Sequence, residues 1–170
     1  MTEMVHDLLE LLLSLDGVRQ DPRWHPEGDA LYHSLQVFDL ARRATADRTL
    51  WAAALLHDVG KAVSSPRHDE IGADLLDGLV SARIVWLVRH HLDLIHTPGN
   101  TKRRLRGTAA LADLRHLRRW DEGGRSPSAV VFTPEAALEI LFEGADLSLF
   151  TPGGAAAPSH DPRKDPLFES

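Results

Sequence analysis

A chain of 170 residues with 43% hydrophobic residues suits one domain with a real core. Its formal net charge of -6 is spread along the chain, which argues against gripping nucleic acid over the whole surface, where a basic face is expected. It contains no Cys, so disulfides and thiolate chemistry are excluded and any metal must be held by His, Asp or Glu.

The first predicted element covers residues 3–15, where Leu8, Leu9, Leu12, Leu13 and Leu15 recur at helical spacing and Gly17 is a natural stop. This stretch is acidic, lacks a basic n-region, and is too short and too charged to span a bilayer. A Cys-free chain without such signals fits the cytoplasm, and no membrane partner is expected. A loop, DPRWHPEG, leads to Asp29 as N-cap of a second helix, ALYHSLQVFDLARRA. The third helix starts near Thr49, reads LWAAALLHDV and ends at Gly60. It is apolar nearly all round, so it is expected at the centre. HDEIGADLLDGL forms the fourth helix, and ARIVWLVRHHL the fifth, after Ser81. The stretch HTPGNTKRRLRG reads as turns. The sixth helix follows Thr108 and ends at Gly123 and Gly124. The seventh, EAALEILFEGADLSLF, is announced by Thr133 and Pro134. Residues 129–132, Ala-Val-Val-Phe, are the one short strand candidate, and residues 151–170 are expected to be a mobile or loosely docked tail after a domain at 1–150.

Ten His residues are present, and the dipeptide His-Asp occurs at 6–7, 57–58, 68–69 and 160–161. Composition alone gives about one such pair, so context must choose among them. His57 and Asp58 terminate the apolar third helix just before Val59, Gly60 and Lys61. A buried helix end carrying an imidazole and a carboxylate must satisfy both, by mutual pairing or through a metal ion. Gly60 supplies the break that lets neighbouring side chains converge. His33 lies near the apolar face formed by Leu31, Leu35 and Phe38. Of His90 and His91, one should face inward; His68 opens the fourth helix, where capping is the simplest role, and His96 sits in a turn. His6, His25, His116 and His160 have no supporting context and are read as surface residues. A late carboxylate ligand is either Asp121 or Asp146.

The order of these features resembles the HD superfamily of metal-dependent phosphohydrolases, over residues 21–125. It is most similar to the HD domain accompanying bacterial tRNA CCA-adding nucleotidyltransferases. DPRWHPEGDALYHSLQV, AALLHDVGKA, RHDEIGADLL and VRHHLDLIHTP carry the likeness, and RRWDEGGR resembles the family's Ala-Asp-x-x-Gly-Arg ending, with Trp120 in place of a small residue. The resemblance implies an all-α, single compact HD-domain helical bundle. It implies a metal site of His33, His57, Asp58 and Asp121, with Asp121 preferred over Asp146. A second metal or a phosphate would fall to His68 and His90, with His91 a further candidate. Asp58 and Lys61 would be the catalytic residues. No Gly-Ser followed by paired Asp residues precedes His33, so CCA addition itself is not expected of these residues.

The expected activity is hydrolysis of a nucleotide or related phosphoester with one or two divalent ions (Mn, Fe, Co, Ni, Mg or Zn). The alternative is an HD module that senses a nucleotide or RNA without hydrolysing it. The basic run of Lys102, Arg103, Arg104 and Arg106, if it flanks the site, favours a nucleotide or an RNA end over a small phosphomonoester. Arg67, Arg89 and Arg125 lie near the motifs in sequence.

Overall fold

A computed structural model describes residues 2–153. The expected tail therefore lies, from residue 154 onward, outside the described residues, as does His160. The helices are α1 (Glu3–Leu13), α2 (Ala30–Ala44), α3 (Arg48–Leu56), α4 (His68–Leu76), α5 (Ala82–His90), α6 (Asp93–His96), α7 (Pro98–Arg104), α8 (Ala109–Gly123) and α9 (Pro134–Phe142). Short 3-10 turns occupy Val59–Ala62 and Leu147–Leu149. The fold is all-α: among the described residues the only β feature is an isolated bridge between Arg19 and Asp29. The strand expected at 129–132 does not form, and Val130 is almost wholly exposed.

Side chains start several of these helices. Asp29 accepts from Tyr32 N at 2.8 Å, Asp47 from Thr49 N at 3.0 Å, Thr108 from Leu111 N at 3.3 Å and Thr133 from Ala136 N at 3.2 Å. Each satisfies a backbone donor that the first helical turn leaves without a partner.

Helix α3 is the central element, as its composition requires. Ala52, Leu55 and Leu56 pack into one apolar cluster with Leu8, Leu12, Phe38, Ile84 and Leu138. Leu50, Ala53 and Ala54 pack into a second with Val37, Leu87, Leu114, Leu117 and Trp120. A helix buried on all sides cannot turn a polar end to solvent, so His57 and Asp58 at its carboxyl end are themselves buried.

Three further expected elements differ. The stretch read as turns from His96 to Gly107 holds α7, because Pro98 stands at the first helical position, where its missing N–H is harmless. The third helix stops at Leu56 rather than Gly60, and the chain tightens into the 3-10 turn. The seventh predicted helix ends at Phe142, since Gly144 takes a left-handed conformation (φ +62) that no helix continues.

Candidate metal centre

The turn after α3 creates the site. Asp58 leaves the helix at φ -103 and ψ 6, in a region sparsely populated by ordinary residues, so that His57 and Asp58 no longer diverge as helical neighbours do. Gly60 permits this: a Cβ there would lie 2.0 Å from the His68 carbonyl oxygen and 2.7 Å from Gly72 N. The turn thus rests directly on the first turn of α4 and brings His68 against Asp58. Arg67, just before His68, is left-handed (φ 62), the one non-glycine residue with positive φ among the described residues.

Asp58 is the hub. Its Oδ2 lies 3.4 Å from His57 Nε2 and 3.7 Å from His33 Nε2, while its Oδ1 lies 3.1 Å from His68 Nε2 and 3.7 Å from His91 Nε2. Asp121, in the last turns of α8, places Oδ1 3.0 Å from His33 Nε2 and 3.9 Å from His57 Nε2. Two groups result, His33–His57–Asp58 and Asp58–His68–His91. Within each, one ligand atom per residue lies within 4.8 Å of the others. Lys61 Nζ donates to Asp58 Oδ2 at 2.7 Å and to Gln20 Oε1 at 2.5 Å, which pins the carboxylate from outside.

The imidazoles are oriented by their other nitrogens. Nδ1 of His57, His68 and His91 lies 2.8 Å from Ala54 O, 2.8 Å from Ser65 O and 2.6 Å from Val88 O. Nδ1 of His33 lies 2.8 Å from Gly124 O. A carbonyl oxygen only accepts, so each Nδ1 carries a proton, and each ring, when neutral, turns an Nε2 lone pair inward. His57 Nε2 is buried with no hydrogen-bond partner, facing carboxylate oxygens. His33 Nε2 is close enough to Asp121 for an ion pair but not aligned for a hydrogen bond. A lone pair facing anions in a dry site is unfavourable unless a cation stands between them, so this donor set fits a divalent metal ion.

Protonation in the metal-free protein follows from the same geometry. Burial holds the His57 imidazole down to about 4, with the nearby Asp58 and Asp121 charges offsetting only part of it. Burial also opposes charging His33, but the Asp121 and Glu27 carboxylates against it prevail and push it up to about 10. Burial raises Asp58, yet His57, Lys61 and His68 outweigh it and hold the carboxyl well below the usual range. Asp121 is likewise held low, burial being outweighed by His33 and His57.

The remaining expected residues divide between the site and places away from it. His90 turns away: its Nδ1 sits 2.7 Å from Asp93 Oδ2 and its ring lies against Trp86, whereas His91 points at Asp58. Asp146 is exposed and caps the 3-10 turn through Ser148 N, so it takes no part. His68 does not cap α4; its ring faces Asp58. The basic run forms the end of α7, with Arg104 paired to Asp93 at 3.3 Å. Arg67 is engaged by Glu70 and Arg89 by Asp74. Arg125 supports the site instead, reaching Asp121 O at 3.3 Å and Trp24 O at 3.1 Å.

Two residues of the site escape the sequence reading. His25 is not a plain surface residue but stands edge-on to His33, ring centroids 5.1 Å apart. Glu27 is buried beside both rings. The usable signal is local: His25, Pro26 and Glu27 lie just before the Asp29 cap, which fixes how the loop enters α2. A cleft of about 160 Å³ opens at this edge, lined by Gln20, Asp21, His25, Lys61 and Ser65 among others.

A helical bundle with His33, the His57 and Asp58 pair and Asp121 gathered in this way has the make-up of an HD domain. The HD domain family matches residues 30–130, and the chain belongs to that family. Its curated relatives include the Multifunctional CCA protein of Methylococcus capsulatus, 44% identical over 72 residues (38% of this chain, 17% of the relative). That of Halorhodospira halophila is 43% identical over 74 residues (39% and 18%). That of Thioalkalivibrio sulfidiphilus is 34% identical over 139 residues, 78% of this chain but 28% of the relative. The chain therefore matches only a minor part of the length of these proteins.

Proposed function

We propose that this domain is a metal-dependent phosphohydrolase, a phosphatase or phosphodiesterase, acting on a nucleotide or related phosphoester. The observation that carries the reading is the buried His57 Nε2, a lone pair turned on Asp58 and Asp121 with nothing to donate to it. Membership in the HD family supports it. His33, His57, Asp58 and Asp121 would hold one divalent ion; Asp58, His68 and His91 would hold a second. Such ions supply Lewis-acid polarisation of a phosphoryl oxygen and a lowered pKa for water.

The chain's own groups do the rest. Asp58 serves both halves with separate oxygens, so the two halves share one orientation. Lys61 holds that carboxylate and places a cation on the cleft wall, where it offsets charge on an incoming phosphate. A small phosphorylated substrate seated in this cleft would lie against His25 and Lys61. The resemblance to the HD domain accompanying tRNA CCA-adding nucleotidyltransferases makes an RNA end the second candidate ligand. No described helix is long and apolar enough to cross a membrane.

The test is metal analysis of protein purified without chelator, together with a hydrolysis screen over nucleotides and 2′,3′-cyclic phosphates. The wild type is expected to carry a divalent ion and to release phosphate or open the cyclic ester, with Asp58→Ala reduced to background. A wild type that takes up no divalent ion, or an Asp58→Ala variant as active as wild type, sinks the proposal.

A further inference from the structure

Glu27 is a buried acid outside the expected ligand set, and its side chain is fully enclosed. One oxygen, Oε1, lies 2.8 Å from His25 Nδ1 and 2.9 Å from His33 Nδ1, while Oε2 is buried with no partner. An ionised carboxylate only accepts, so His25 presents its Nδ1–H to Oε1, whereas the Nδ1–H of His33 is shared between Gly124 O at 2.8 Å and the carboxylate charge beside it. The loop is tied down around it: His25 N donates to Asp21 O at 2.8 Å, Gly28 N to His25 O at 3.0 Å, and the Asp29 side chain both caps α2 and accepts from Gly17 N at 2.6 Å. Glu27 therefore cannot swing to another partner without breaking the entry to α2.

A buried carboxylate left half unpaired is unfavourable unless it does something in place. What it touches is the back of His33, whose opposite nitrogen faces Asp121 and Asp58. The same oxygen holds His25, which lines the cleft beside Lys61. We propose that Glu27 is a positioning residue of the metal centre: with Gly124 O, its Oε1 holds the His33 ring so that Nε2 is offered to the ion, and the same oxygen holds His25 at the cleft wall. The proposal rests on the metal-centre reading above. A carboxylate behind a ligating imidazole fixes its tautomer and raises its basicity, and loss of such a partner lowers metal affinity about 10- to 100-fold.

The test is titration of the full chain with Mn2+ and with Co2+ by calorimetry, for wild type, Glu27→Gln and Glu27→Leu, alongside melting of the metal-free proteins. Gln keeps an accepting oxygen at Oε1 and loses the charge. Leu loses both at similar volume. The expected order of affinity is wild type, then Gln weaker severalfold, then Leu weaker by about 10- to 100-fold. A purely structural Glu27 would lower the melting temperature in Leu without ranking the affinities. Equal affinity in wild type and Gln, or in Gln and Leu, overturns the proposal. Should Leu fail to fold, the comparison of wild type with Gln decides alone, a weaker Gln supporting the role and an equal one ending it. A wild type that binds neither ion removes the metal centre itself, whereas a wild type that binds with unranked variants removes only the role of Glu27.

Discussion

His68 and His91 face each other nitrogen to nitrogen, Nε2 to Nε2 at 3.3 Å, although 23 residues separate them in the chain. Both Nδ1 atoms already donate to carbonyls, so when both rings are neutral, as metal ligands must be, neither has a proton to offer the other. A cation held by His68, His91 and Asp58 would resolve that contact. His91→Ala is accordingly expected to lower the metal content of the protein, removing an ion from this half. His90→Ala is expected to keep wild-type metal content, because His90 is spent on Asp93 and Trp86. Elemental analysis of the two variants after dialysis checks this; metal loss in His90→Ala alone reverses the assignment.

Asp121 and Asp146 are separated in the same way. Asp121 touches His33 and His57, while Asp146 accepts from Ser148 N at the surface. Asp121→Ala is expected to reduce affinity for the first ion sharply. Asp146→Ala should leave it unchanged and lower stability only slightly through the lost cap. Metal titration and urea denaturation of both variants distinguish the two residues.

Protons and metal compete for His33. Its imidazole is pushed up to about 10 by Asp121 and Glu27 against burial, so at neutral pH the metal-free protein holds a proton there that an ion must displace. About one proton is expected to leave His33 as the first ion binds near neutral pH, read by calorimetry in buffers of different ionisation enthalpy. No proton release contradicts the His33–Asp121 pairing.

The same two imidazoles shape the stability of the metal-free protein. Between the ordinary 6.5 of a histidine and about 10 the folded state binds the extra proton on His33, so this contribution is whole below about 6.5 and is lost as pH rises toward 10. His57 runs the other way. Held down to about 4, it leaves the unfolded chain binding more protons, so stability falls as pH drops from about 6.5 toward 4. Thermal melting of metal-free protein across pH is expected to peak near neutrality, and replacing His57 by Asn should flatten the acid limb alone.

Backbone approach at the turn sets a sharper demand. Gly60→Ala would drive a methyl to within 2.0 Å of the His68 carbonyl. The 3-10 turn and α4 must part, at a cost of about 3 kcal/mol, and metal binding should fall with it. Gly99→Ala, in α7 with open space around it, is the control and should be neutral or stabilising by about 0.5–1 kcal/mol. Denaturant melts of the two variants give the comparison.

What was legible in the sequence is what depends on local chemistry. The apolar period of α1, the caps at Asp29, Thr108 and Thr133, and the unbroken hydrophobicity of α3 each state an element and its burial, because a helix face or cap is decided within a turn or two. The buried helix end at His57 and Asp58 was legible for the same reason. The helix at 98–104 was not, since Pro98 and Gly99 read as a break until their place at a helix start is known.

Tertiary structure alone decided which groups meet. Periodicity gives a face but not the angle at which two helices cross, and a turn of about 100° separates His90 from His91. Only the packing of α5 on α3 and α4 turns His91 to Asp58. Asp121 and Glu27 reach His33 from positions 88 residues later and 6 residues earlier, the first through the close contact of Gly124 with Val37, the second through the loop fixed by the Asp29 cap. The sequence by itself determined a helical protein with a buried His and Asp at the end of its central helix. The tertiary structure decided which lone pairs converge there, because convergence is set by distances between separate elements, and no local pattern of residues encodes them.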